Sequence, residues 1–577
     1  MTLNSWLKAG LLSAGAASLL VASNGMPRDH HASWPTSEAQ KHAYIIQARD
    51  ASRAAALVRQ AGGEVLRDLS IIRAVSARLS DRELARLHAT GRSDLHVFAD
   101  ATVGASSVGT LPETYYPSEV NARELHLGGT LGTGVTVAVV DSGIWSALGP
   151  DQSAPGQSGT RVLGQYDVYS QSQQPLSALI AGTLSSVLPN NTPINDLYGH
   201  GTHVSSIIAS SGVATTGNYQ GVAPGVNLVS VRVLGPDGQG TYADVIAGIE
   251  WVIQQRWRYN IRVMNLSLSG PARSAYFNDP LNQAVTAAWN AGIVVVAAAG
   301  NFGPGPMTIG VPGNNPYVIT VGAVTDSYHP LQPSYYRLGS FSSAGPTADG
   351  FVKPDVVAMG GHALAYAPNQ GTLATEFPQW YDQADHDLTL TGTSQAAAVT
   401  SGVVALMLQV SPNLTPDQVK CRLMASAQPA LNPDGTPAYS VFQQGAGLVN
   451  AYQAVYGTTA TGCANQGLNI LADVAGSAHF GGPANRNPTS GQYYITSAHN
   501  GTLVWGSAQP GNGLIWDGSY SGASNYSWSS NYSWSSNYSW SSNYSWSSNY
   551  SWSSNYSWSS STVSDASATG ITIAGQE

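Results

Sequence analysis

The chain has 577 residues, enough for several domains and a sizeable core. Only 10% of them are Asp, Glu, Lys or Arg, against about 25% in an average protein, and Gly, Ala, Ser and Thr fill the gap, which fits a protein outside the cell better than a cytosolic one. The net charge of −9 points to no nucleic-acid partner, and two cysteines make neither a disulfide scaffold nor a zinc site, although Cys421 and Cys463 could pair in a secreted chain.

In chain order, Lys8 precedes an apolar run at 9–22 that ends in small residues, the pattern of a secretory signal peptide over 1–23. The run is short for a transmembrane helix, and no other stretch approaches spanning length. Residues 41–100 predict a small α+β domain. Strands are expected at 42–47, 64–69, 71–77 and 95–99, with helices at 51–61, stopped by Gly62-Gly63, and 80–88, opened by the capping box Ser80-Asp81-Arg82-Glu83. Residues 40–100 carry ten basic and seven acidic residues, whereas 12 basic and 24 acidic residues follow from 112 onward, so the module and the body could attract each other.

A small, polar, turn-forming linker spans 101–117. The apolar run 135–140, ending at Asp141-Ser142-Gly143, then reads as a buried parallel strand. Helices at 200–210, 242–257 and 281–291 alternate with strands at 228–234, 262–268, 293–298 and 317–324, which predicts an α/β body with a doubly wound, mainly parallel sheet over 118–458. A Gly-, Ser- and Asn-rich region covers 459–524. From 525 to 560 the hexapeptide Asn-Tyr-Ser-Trp-Ser-Ser repeats six times before a tail at 561–577, low-complexity sequence that reads first as disordered. In an extended strand the repeat would put all its Tyr and Trp on one face.

The chemistry centres on Gly392-Thr393-Ser394, which opens a helix apolar nearly all round. A serine there sits beside unpaired backbone N–H groups and can attack a carbonyl if a base is near. A capping serine is the plainer reading of that stretch alone. His200 opens another apolar-faced helix, Asp141 ends a buried strand and Asn301 follows a third strand; singly, each has an equally plain structural reading.

Together, and in the order Asp, His, Ser, these residues resemble the subtilisin-like serine peptidases, or subtilases. The matched motifs are Val139-Val140-Asp141-Ser142-Gly143, His200-Gly201-Thr202-His203-Val204, Ala298-Ala299-Gly300-Asn301 and Gly392-Thr393-Ser394, supported by Met264-Asn265-Leu266-Ser267-Leu268 and Lys353-Pro354-Asp355-Val356. The resemblance covers about 113–458, and residues 41–100 are similar to the family's inhibitory propeptide, with maturation cleavage expected in 101–117.

The resemblance implies that Ser394 is the nucleophile, His200 the general base and acid, and Asp141 its orienter. Asn301 and the Ser394 N–H would form the oxyanion hole. It implies that Gly238–Gly240 and Ser267–Ser269 pair with substrate backbone, and that Ser267, Leu268, Ser269, Ala298, Gly300 and Gly310 line an uncharged primary pocket suited to large apolar or aromatic side chains over basic ones. Gln395, Ala398 and Val399 depart from the family pattern behind the nucleophile, and His203 is expected to be structural.

The expected function is a secreted or cell-surface, self-processed endopeptidase acting on polypeptides and inhibited by its own propeptide. A binding or display protein that uses the body as scaffold and the aromatic repeats for attachment is the alternative. No cofactor and no metal ligand is expected; a structural calcium has no support, because the loop at 210–220 is short for the family's high-affinity calcium loop.

Overall fold

A computed structural model describes residues 41–90, 94–100, 102–105, 114–145, 153–156, 158–172, 196–214 and 216–499, together with short strands at 502–505, 515–516 and 527–528. The expected signal peptide, linker residues 106–113 and everything after 528 lie outside the described residues.

The N-terminal module runs β1 (Lys41–Gln47), α1 (Ala51–Ala61), β2 (Glu64–Leu69), β3 (Ala74–Ser80), α2 (Asp81–His88) and β4 (His96–Ala99). Asp50 caps α1 through the Arg53 N–H, and Gly62 ends it in the left-handed region at φ 92°. Ser80 and Glu83 cap α2 reciprocally. Strand β3 starts three residues later than the periodicity predicts, because Ser70–Ile72 form a turn of 3-10 helix. The antiparallel sheet has the order β2-β3-β1-β4. Ile46, Val58, Leu79 and Leu87 pack between one sheet face and the helices. From the opposite side of the module Ile45, Leu69, Ile72 and Ala74 enter the hydrophobic core of the body, so module and body share buried surface. Strand β5 (Thr102–Ala105) follows.

The body contains β6 (Thr136–Asp141), β7 (Val162–Asp167), α3 (His200–Ala209), β8 (Asn227–Arg232), β9 (Gln239–Thr241), α4 (Tyr242–Tyr259), β10 (Ile261–Leu266), β11 (Leu268–Ser269) and α5 (Pro280–Asn290). It continues with β12 (Val294–Ala298), β13 (Ile319–Thr325), β14 (Arg337–Leu338), β15 (Val356–Met359), α6 (Thr393–Val410) and α7 (Pro416–Ser426). The main sheet runs β14-β13-β12-β10-β6-β8-β7, with β15 also on β13. All its pairs are parallel except β13 with β14.

Strand β6 lies between β8 and β10, so sheet growth changes direction beside it, and a crevice opens at the carboxyl ends of these strands. The stretch after Asp141, which held no readable element, supplies β7; Gln165 and Asp167 interrupt its apolar pattern at the sheet edge. Helix α6 is buried continuously from Thr393 to Leu408. It is apolar enough to pass for a membrane span, but it runs through the interior of the fold.

Order continues past 458. Cys463 forms a disulfide with Cys421 on α7. Asp473 accepts hydrogen bonds from Tyr276 (2.6 Å) and Tyr317 (2.9 Å). Strands Ala484–Arg486 and Tyr493–His499 pair antiparallel. Ser527–Trp528, from the first repeat, pairs with Ala430–Leu431.

Candidate active site

Asp141 is the last residue of β6 and is fully buried. Its carboxylate accepts from His200 Nδ1 at 2.9 Å and 3.0 Å through its two oxygens, and from the Ser142 N–H at 2.7 Å. A carboxylate is an acceptor only, so Nδ1 carries a proton, and Nε2 is the ring nitrogen left to exchange one. Nε2 is buried and has no hydrogen-bond partner.

The backbone around His200 is fixed by a residue that the sequence did not single out. Asp196 accepts from the Gly199 N–H (2.8 Å), the Thr202 N–H (2.8 Å) and the Thr202 hydroxyl (2.6 Å) at the start of α3. Burial pushes its carboxyl up, and these hydrogen bonds pull the other way. Ser142 Oγ accepts from the Gly201 N–H at 2.9 Å, tying the two loops together. Gly201 is required there, because a Cβ would overlap the Gly143 carbonyl. His203, one turn on, faces away from this chemistry: Nε2 donates to the Ala363 and Leu388 carbonyls, and burial holds its pKa down to about 3. It is therefore neutral, and it pins α3 to the neighbouring strands.

Ser394 lies in the first turn of α6, buried. Its hydroxyl donates to the Ser267 carbonyl at 3.0 Å, and the Ser267 hydroxyl donates to the Ser394 carbonyl at 2.8 Å. Asn265 Nδ2 donates to the Ser267 hydroxyl (2.9 Å), while Asn265 Oδ1 accepts from Ser401 on α6 (2.9 Å). Asn265 at the end of β10 and Ser267 just past it thus hold α6 at two points. The neighbouring Gln395 amide is fully buried, with neither its oxygen nor its nitrogen partnered.

Asn301 follows β12. Its Oδ1 accepts from the Thr393 N–H (3.0 Å) and the Thr393 hydroxyl (2.8 Å), and that hydroxyl also accepts from the Gly300 N–H (3.2 Å). With the oxygen engaged, the NH₂ end of the amide is the group left to donate. Thr393 fixes which way the amide points, and its position inside the Gly392-Thr393-Ser394 motif was the available signal.

Two edge segments flank a strand of the chain itself. Strand β5 lies antiparallel between β11 and β9 in a three-stranded sheet. Ala105 pairs with Leu268 and Gly104 with Ser269; on the other side Val103 pairs with Gly240 and Gly104 with Gln239. Gly238, at φ 71°, has no room for a side chain against Tyr198. The expected pocket residues Leu268, Ser269, Ala298, Gly300 and Gly310 come together beside β11, and no charged side chain is among them. The Ser269 hydroxyl stands 3.0 Å from the point where a Gly300 Cβ would be, and a Cβ on Gly310 would overlap it.

Residues 132–447 match the model of the Subtilase family. The chain is 38% identical over 336 residues to the serine protease AprX of Bacillus subtilis (strain 168), a match over 56% of this chain and 67% of that protein. It is 31% identical over 402 residues to subtilisin E of the same strain, covering 69% of this chain and 84% of the relative. The crystal structure of fervidolysin from Fervidobacterium pennivorans, a keratinolytic enzyme related to subtilisin, shares the fold with a TM-score of 0.56 at 22% identity, over 74% of this chain and 62% of that one.

Proposed function

The chain belongs to the subtilase family and is a serine protease of the subtilisin type, and from that premise we propose a secreted endopeptidase made as a self-processed zymogen, with Asp141, His200 and Ser394 as its triad. The observation that carries this reading is the strand β5, an extended piece of polypeptide seated between β9 and β11 beside the nucleophile. A substrate strand would bind by the same backbone pairing.

In the proposed reaction the Ser394 hydroxyl leaves the Ser267 carbonyl, passes its proton to His200 Nε2 and attacks the peptide carbonyl. The oxyanion takes hydrogen bonds from Asn301 Nδ2 and the Ser394 N–H. His200 then protonates the leaving amine as the C–N bond breaks, and the acyl-enzyme is hydrolysed by water activated through the same imidazole. Asp141 keeps Nδ1 protonated and stabilises the imidazolium. The uncharged pocket accepts uncharged side chains over basic ones. Secretion is supported by the 1–23 leader, the sparse charge and the Cys421–Cys463 disulfide, a bond of oxidising compartments. The module at 41–100 is proposed as the inhibitor that holds β5 in the cleft until the 101–117 linker is cut.

Ser394→Ala is the test. Expressed in a host lacking other proteases, the variant should accumulate as uncut precursor and clear no casein, whereas the parent is cut within the linker and labelled by a fluorophosphonate. A variant that still matures would sink self-processing, and a parent that takes no label would sink the triad.

A further inference from the structure

Ser269 differs from its neighbours along the cleft. Its side chain is buried, and its Oγ has no hydrogen-bond partner. A buried hydroxyl without a partner is costly unless something arrives to bond it, so the group calls for an explanation. Two glycines mark its direction. Oγ lies 3.0 Å from the ideal Cβ position of Gly300 and overlaps that of Gly310. The hydroxyl therefore projects from the substrate-pairing edge β11 into the space between the Ala298–Gly300 wall and Gly310. Glycine at 310 makes room for it.

We propose that Ser269 sets the size of the side chain accepted before the scissile bond: its hydroxyl stands across the primary pocket and restricts it to small uncharged side chains, Ala and Ser ahead of Leu and Phe. This rests on the peptidase reading above and departs from the large apolar preference that the residue types alone predict. A count of lining residues treats Ser269 as a wall, whereas the structure turns its hydroxyl inward. The partnerless Oγ also offers a hydrogen bond to a small polar side chain.

The sequence just after the seated strand is compatible with the size limit. The strand seated on β11 is Thr102-Val103-Gly104-Ala105, and Ser106-Ser107-Val108-Gly109 follow it in the sequence. A cut at any bond following residues 105–109 would place Ala, Ser, Val or Gly before it, so self-processing would present the pocket with a side chain it can hold.

The test uses the mature enzyme and peptides that differ only in the residue before the scissile bond: Ala, Ser, Val, Leu, Phe and Arg. Ala or Ser should exceed Phe in kcat/KM by tenfold or more, since a single methylene's difference in a pocket is worth about 10- to 200-fold. Ser269→Gly, which opens the space, should raise the Phe-to-Ala ratio at least tenfold. Preference for Phe or Leu in the parent would overturn the proposal alone, as would a ratio unmoved by the glycine variant. Cleavage of none of the peptides would overturn the peptidase reading with it. Should Ser269→Gly fail to fold, the parent's own ranking decides.

Discussion

Among the described residues, Arg67 is the cation through which the module meets the body's helix α4. Its guanidinium lies 3.3 Å from Asp244, with side-chain exposures of 18% and 3%. Arg67→Met removes the partner of a carboxylate that burial already pushes up. Breaking a buried pair from one side costs about 3–5 kcal/mol. Here the loss is smaller, because Asp244 keeps the Thr241 hydroxyl at 2.9 Å and the first turn of α4, and Arg67 is partly solvated. About 2–3 kcal/mol remains, or roughly 30- to 150-fold in affinity at 1.4 kcal/mol per decade.

The assay is inhibition of the mature enzyme in trans by the isolated 41–105 module, which has a hydrophobic cluster of its own, read with a chromogenic peptide at low and high salt. The parent pair should weaken as salt rises. Combining Arg67→Met with Asp244→Asn should recover much of the loss, since no unpaired charge is left. A change under threefold for Arg67→Met, or additive losses in the double variant, would refute the ion pair as a docking determinant.

Three further outcomes are expected. Asn301→Ala should lower kcat by about 10²–10³ with KM nearly unchanged, the magnitude known for the oxyanion-hole asparagine of subtilisin, a member of this family; Thr393→Val, which leaves Asn301 Oδ1 only the backbone N–H, should fall in between. Asp100, which accepts from the Ala243 N–H at 2.9 Å, is raised to about 7 by burial and then by Asp244, so the docked module binds a proton that the free one loses near pH 4. Docking is therefore strongest below pH 4 and weakens as pH rises to about 7; inhibition constants between pH 5 and 8 should climb, and Asp100→Asn should flatten the climb. Asp355 joins two buried ammonium groups, Lys353 at 2.7 Å and Lys420 at 3.0 Å. In a Ser394→Ala background, Asp355→Leu should cost about 3–5 kcal/mol in urea unfolding, while replacing all three by apolar residues should recover most of it.

Local signals made the module's helices legible almost to the residue, because their caps and stops are written in adjacent residues: Asp50 to Arg53, Ser80 to Glu83, Gly62 after α1; β3, displaced by the turn at Ser70–Ile72, was three residues off. The body's central strands were legible as apolar runs. What escaped was held by distant partners. Strand β7 is partly polar and pairs only on one side. The 459–499 region has a loop-like composition, yet the Cys421–Cys463 bond and the Asp473 contacts with Tyr276 and Tyr317 fasten it to the body. At the site, motifs supplied the proposed reacting groups but not the residues that support them. Asn265 and Thr393 lay inside quoted motifs, where their roles could have been sought. Asp196 carries no signal, since its partnership with Gly199 and Thr202 exists only once α3 forms.

The segment from Asn265 to Ser269 explains why so much of the site depends on one short edge. Within five residues the chain leaves the core sheet and becomes the strand that pairs with β5, the edge proposed to bind substrate. Asn265 still pairs in β10 and reaches Ser401 on α6. Ser267 exchanges hydrogen bonds with Ser394 through both its carbonyl and its hydroxyl. Leu268 and Ser269 pair with β5, and the Ser269 hydroxyl turns toward Gly300 and Gly310. A strand that binds on β11 therefore lies one or two residues along from the carbonyl that accepts the Ser394 hydroxyl. Hydrogen bonding along this edge and release of the Ser394 hydroxyl toward His200 share the same backbone. Substitutions at 265 or 267 should accordingly lower kcat, while those at 269 should redistribute kcat/KM among substrates, a division that steady-state kinetics on the peptide series above separates directly.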